Sequence, residues 1–168
     1  MNVSKDLKWN DITSPTMTPE EFLNIYKEKI EKVYEMYEPK VDTLDKIKDV
    51  LKNKKGKLHI IALGADWCPD CSKNIPRIIK IVNYAKTQDI DLKILYGIMV
   101  NALHKPGETI WHKKCSPPEA TDPKFNLKAI PTFYFFNEAG EYIGAIVENP
   151  RLNSTLEEDI LEILEGKW

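Results

Sequence analysis

The apolar positions of this chain change period several times, and each change marks an element. Phe22, Tyr26, Ile30, Val33 and Tyr37 recur at helical spacing on one face. The pattern opens on Thr18-Pro19-Glu20-Glu21, where Thr18 suits the N-cap, Pro19 the first helical position and Glu21 the far side of a capping box. Pro39 stops it. Val41, Leu44, Ile47 and Leu51 predict a second amphipathic helix ending near Gly56. Residues 58–64 are then a short unbroken apolar run of strand length, after which Ile75, Ile78, Ile79 and Val82 return to helical spacing over about 69–86. Strands follow at 90–98, 131–136 and 141–147. The last two are joined by Asn137-Glu138-Ala139-Gly140, where Gly140 suits positive φ. Ser154-Thr155-Leu156-Glu157 reads as another capping box, opening a helix over 154–165 with Leu156, Ile160, Ile163 and Leu164 inward.

Residues 1–17 are polar and aperiodic, an irregular arm. The β-α-β unit from 58 to 98 predicts a parallel pair with a right-handed crossover, and the whole reads as an α/β sheet covered by helices on both faces. Residues 99–120 form a connection longer than compact domains usually carry, either a surface insertion or a lip over a site, with the insertion favoured. Phe133, Tyr134, Phe135 and Phe136 are assigned to the core, and His59 to a packed core or edge position.

Composition narrows the class. The chain has 168 residues, enough for one domain with an extension, and a net charge of −2 that argues against nucleic acid or an anionic membrane as partner. No apolar run approaches the ~20 residues of a membrane span. The first ten residues lack the apolar stretch of a secretory signal, which makes the cytoplasm the expected compartment. Three cysteines, two of them closely spaced, do not make a disulfide framework.

The candidate chemistry lies in Trp67-Cys68-Pro69-Asp70-Cys71, between the apolar run and the helical pattern. Two thiols three residues apart at a strand-to-helix turn suit dithiol–disulfide exchange. A helix N-terminus favours thiolate on Cys68, and Cys71, one turn on, can reach back to resolve a mixed disulfide. The Asp70 carboxylate between the sulfurs opposes thiolate formation, which favours the disulfide and a reducing potential. A second element supports the redox reading: Ala129-Ile130-Pro131-Thr132 directly precedes the aromatic strand, where a proline suits a cis peptide or a free edge. Half of a zinc site is the competing reading, with His104, His112 and Cys115 as the remaining candidate ligands; Cys115 by itself is an incidental thiol.

Together, WCPDC and the later Ile-Pro-Thr before a strand resemble the thioredoxin superfamily, over roughly residues 57–165. The resemblance implies a thioredoxin-like mixed β-sheet flanked by helices, with residues 1–56 as an N-terminal arm and two-helix extension and 57–168 as the thioredoxin-like domain. It implies Cys68 as nucleophile, Cys71 as resolving thiol, Pro131 as a cis-proline facing them, Pro76 as a helix-kinking proline and Gly144 as the glycine after the hairpin. Two departures stand out. Pro69-Asp70 replaces the Gly-Pro typical of thioredoxins, and Ala62 stands where thioredoxins carry a buried aspartate. The expected activity is a thiol–disulfide oxidoreductase, most simply a protein disulfide reductase, with Trp67, Pro69, Asp70, Ile130, Pro131 and Thr132 forming the substrate groove. No metal or organic cofactor is called for. Partners are disulfide-containing proteins or small molecules and an external reductase or thiol. Alternatives are a glutathione-linked glutaredoxin-like enzyme, a metal-binding module, and a thioredoxin-fold protein with an idle dithiol.

Overall fold

The apolar run becomes the centre of a four-stranded sheet. In the computed structural model, which describes residues 3–167, β1 (Leu58–Leu63) lies between a parallel β2 (Ile90–Leu95) and an antiparallel β3 (Thr132–Phe136), and β4 (Tyr142–Val147) completes the order β2-β1-β3-β4. A strand covered on both faces cannot alternate, which is why β1 and β3 read as continuous apolar runs. Every residue of β3 is buried.

Before β1 the chain forms α1 (Pro19–Ile25), α2 (Lys27–Met36) and α3 (Val41–Lys54). Between β1 and β2 runs α4 (Pro69–Ala85), and α5 (Leu156–Lys167) follows β4. One face of the sheet receives α4 and α5, and α2 and α3 pack in turn on those two helices. Gly144 permits the close approach of α5: a methyl there would lie 2.9 Å from Cγ2 of Ile163. Residues of 1–56 and 57–168 bury a common core, with Phe22, Ile30, Leu44 and Leu51 in the same cluster as Ile60, Ile79 and Phe135.

The opposite face departs from expectation. The sequence pattern predicts helices there, but its aromatic residues are covered by irregular chain: Trp9 of the arm packs on His59 and Phe136, and Phe125 of the long connection packs edge-on against Tyr134. Hydrogen bonds fasten this cover, from Trp9 N to Gly140 O (2.8 Å), from Ser4 N to Lys124 O (3.0 Å) and from the Tyr134 hydroxyl to Phe125 O (3.0 Å). Met17 exchanges two backbone hydrogen bonds with Ile94, a single antiparallel bridge on the outer edge of β2.

Two local expectations change, while α3 ends near Gly56 as expected, with Lys55 in the left-handed region as its C-cap. The first helix is interrupted at Tyr26 (φ −105°, ψ 17°), whose ring packs on Phe22 and Tyr96. The second capping box is Thr155 with Glu158, one residue later than Ser154 with Glu157. Glu157 is withdrawn from the cap: it is fully buried and accepts from the Tyr37 hydroxyl and from Lys40 N (2.7 Å). The first capping box, Thr18 with Glu21, forms as read.

Candidate active site

The dithiol sits where β1 hands over to α4. Cys68 is the N-cap of α4 with extended backbone, and Pro69 occupies the first helical position, where its missing N–H costs nothing. The backbone N–H of Cys71 therefore points out of the first turn and donates to Sγ of Cys68 at 3.2 Å. The same sulfur lies 3.5 Å from the Ile130 carbonyl, to which its thiol donates. The Ile130-Pro131 peptide bond is cis. The two sequence motifs, sixty residues apart, thus meet at one sulfur atom.

Both thiols are unpaired, Cys68 at 5% exposure and Cys71 at 0%. Burial pushes the Cys71 thiol well above its ordinary range, and its hydrogen bond with Cys68 adds to that. A backbone hydrogen bond from Ala65 draws it part of the way back, and the charge of Asp70 contributes least. Gly64 makes room for this sulfur: a methyl at 64 would lie 2.9 Å from Sγ of Cys71, 3.0 Å from Cε1 of Tyr96 and 3.2 Å from Cδ1 of Ile75. Ala62, at 0% exposure, places no acid beneath it.

The other named residues are arranged around this pair. Trp67 is 44% exposed, and its indole N–H donates to the Ile98 carbonyl at 2.9 Å, so the root of the long connection holds the ring beside the dithiol. The rest of that connection folds on itself through a Val100–Trp111 bridge and leaves Leu103 projecting into solvent. Asp70 points along α4 to Lys73 (3.7 Å) and is not aimed between the sulfurs. Thr132 is buried, its hydroxyl donating to Ala129 O at 2.7 Å and so closing the turn that carries Pro131. The backbone N–H of Cys115 donates to Nδ1 of His112 at 3.2 Å, and among the described residues no group of three or more His, Cys, Asp or Glu side chains converges as metal ligands do.

Pattern reading of the chain passed over Asn74. It lies on the buried stripe of α4 with Cys71, Ile75 and Ile78, at 0% exposure. A polar residue on an apolar stripe is the signal that marks it. Gly64 gave no comparable signal, since its role depends on a sulfur seven residues away.

A family model described as thioredoxin matches residues 16–97, a span that begins ahead of α1. No curated protein matches the sequence. Among solved structures, a protein of unknown function from Pseudomonas aeruginosa is 18% identical with a TM-score of 0.60, covering 99% of each chain. An HIV epitope scaffold is 19% identical with a TM-score of 0.54, over 86% of this chain and 85% of the other. Thioredoxin O1 of Arabidopsis thaliana, in its oxidised state, aligns at 17% identity over 73% of this chain and 88% of its own, with a TM-score of 0.40.

Proposed function

We propose that this chain, a member of the thioredoxin superfamily, is a thiol–disulfide oxidoreductase working as a protein disulfide reductase through Cys68 and Cys71. The observation that carries the reading is the asymmetry of the pair: Cys68 caps the helix and faces the Ile130 carbonyl, while Cys71 is sealed behind it. The outer thiol of such a pair, here Cys68 at the helix cap, attacks and the fully sealed one resolves.

In the first step the Cys68 sulfur forms a bond to one sulfur of a substrate disulfide, and the other substrate sulfur leaves as a thiolate that takes up a proton. Cys71 then attacks Sγ of Cys68. The Cys68–Cys71 disulfide forms, the mixed disulfide breaks, and the second substrate sulfur departs. With alanine at 62, the proton of Cys71 passes to this departing thiolate. The chain is left oxidised by two electrons, and an external thiol or reductase restores it. Trp67, Pro69 and Asp70 form one wall of the groove and the Ile130–Pro131 turn the other, with Thr132 buried behind that turn and closing it. The main chain at Ile130 offers short β-pairing to an extended substrate. Substrates are disulfide-containing proteins or small molecules, the compartment is the reducing cytoplasm, and two thiols suffice without metal or organic cofactor.

The test is turnover of insulin disulfides with dithiothreitol as the electron source, together with alkylation of each thiol against pH. Cys68 is expected to alkylate at lower pH than Cys71, because burial holds Cys71 protonated. If Cys71 reacts first, the assigned roles are reversed. A protein that turns over no disulfide under these conditions is a thioredoxin-fold protein with an idle dithiol.

The Asp70–Lys73 pairing tempers the effect of the acidic dipeptide. Asp70→Asn removes a negative charge near the dithiol, which stabilises the reduced state and makes the protein more oxidising. Lys73 already offsets part of that charge and both groups are over a third exposed, so the expected displacement is on the order of 10 mV. Equilibration with a glutathione redox series measures it. A shift toward more reducing potential would remove Asp70 from the account.

A further inference from the structure

Resting on the oxidoreductase reading, we propose that Asn74 is a positioning residue that sets the gap between the dithiol helix and the proline loop, and thereby governs the fit of extended protein disulfides. The side-chain amide of Asn74 donates from Nδ2 to the Glu148 carbonyl (2.7 Å) and to Oδ1 of Asn149 (2.9 Å). The backbone N–H of Glu148 donates in turn to the Pro131 carbonyl at 2.7 Å. At the other end of the same loop, the Ile130 carbonyl receives the Cys68 thiol. The two walls of the groove are therefore tied twice: directly at Cys68, and through Asn74 and Glu148 behind it.

Two features show that this tie is held at a cost. Oδ1 of Asn74 is buried with no hydrogen-bond partner. An unsatisfied buried acceptor destabilises, and an aliphatic side chain on this stripe would avoid it. The amide cannot be turned to relieve Oδ1, because that would set it against the Glu148 carbonyl. Glu148 itself is a non-glycine residue at φ +62°, in the left-handed region, and the next residue closes a tight turn from Asn149 N to Val147 O (2.8 Å). A strained loop and a half-satisfied amide meet at one contact, and that contact leads to the carbonyl of the groove proline. Local rules broken together beside a reactive site point to function more than to stability.

The effect on chemistry follows from geometry. Cys68 takes its position from the helix cap, so loss of the Asn74 tie leaves its sulfur in place. The proline loop, released at Glu148, no longer presents the Ile130 main chain in a fixed register. A small aromatic disulfide needs only the sulfur; a peptide disulfide needs both walls.

Asn74→Ala, on the full chain, separates these. KM for a disulfide-linked peptide is expected to rise about ten- to a hundredfold, while the rate constant with 5,5′-dithiobis(2-nitrobenzoate) stays within twofold of wild type. Amide hydrogen exchange at Glu148 is expected to rise more than tenfold, a readout that needs no turnover. Asn149→Ala, which removes only one of the two acceptors, is expected to give a smaller change of the same kind and serves if the first variant does not fold. Unchanged exchange at Glu148 overturns the tie, whatever the activity. An equal fall with both substrates also overturns it, since Asn74 would then only support α4. Raised exchange in a protein whose wild type reduces neither substrate upholds the tie and rejects the oxidoreductase reading.

Discussion

Cys71→Ser is expected to turn the protein into a single-use trap that remains covalently joined to its first substrate. Cys71 lies one helical turn from Cys68, beneath the same cap, and on the proposed mechanism it attacks intramolecularly. Well-oriented intramolecular reactions reach effective molarities of ~10⁵ M or more. Millimolar external thiol cannot match that, so the mixed disulfide of the variant should outlive that of the wild type by at least about a thousandfold. The measurement is a non-reducing gel followed by mass spectrometry, in a Cys115→Ser background because Cys115 is exposed and unpaired. Adducts should form on Cys71→Ser and be absent from Cys68→Ser. The opposite pattern would make Cys71 the nucleophile. Because the trap holds whatever reacts first, the same experiment identifies the substrates.

Glu119→Ala is expected to loosen the N-terminal arm and cost about 2–3 kcal/mol. Glu119 is 2% exposed, in the short 3-10 turn Pro118–Ala120, and its carboxylate accepts from Thr13 N (2.8 Å), Ser14 N (3.0 Å) and the Ser14 hydroxyl (2.6 Å). Burial alone would raise the affinity of this carboxyl for its proton, but the hydrogen bonds from Ser14, Thr13 and its own backbone outweigh burial and hold it below its ordinary value of 4.5. The unfolded chain therefore binds this proton more readily than the folded one. The contribution of Glu119 is full above the ordinary carboxylate range and is lost as pH falls through the depressed folded value. Chemical denaturation of wild type and Glu119→Ala should differ most near neutral pH and converge in acid. A difference independent of pH would mean that the carboxylate matters only as packed volume. Exchange at Thr13 and Ser14 should rise in the variant while that in β1 follows only the change in global stability.

The motif-bearing part of the fold was legible because its signals are local. A strand buried on both faces, a proline at the first position of a helix and two thiols at its cap and in its first turn can each be read within a few residues. Phe133, Tyr134, Phe135 and Phe136 declared the second central strand in the same way. What escaped were features decided at a distance. Ser154-Thr155-Leu156-Glu157-Glu158 contains two possible capping boxes, and the choice falls to Thr155 and Glu158 because Glu157 is claimed by Tyr37 and Lys40, more than a hundred residues earlier. The break at Tyr26 has no glycine or proline to announce it; its ring is drawn to Tyr96. The cover of the second face has no period to read, since it is built from irregular chain fixed by scattered hydrogen bonds to distant segments. Asn74 was visible as a polar interruption of an apolar stripe, but its partners on the 148–149 loop were not.

The docking of the arm has a consequence for how the chain is made. Ser4, Trp9, Ser14 and Met17 find their partners at Lys124, Gly140, Glu119 and Ile94. These residues thus wait for segments translated well after them, and closing such long loops is entropically slow. Until Phe136 and Gly140 are made, the Trp9 ring has only His59 to pack on. A nascent chain stalled before residue 140 would lack the Gly140 carbonyl that fixes Trp9 over His59 and Phe136, leaving those rings open to non-native contacts.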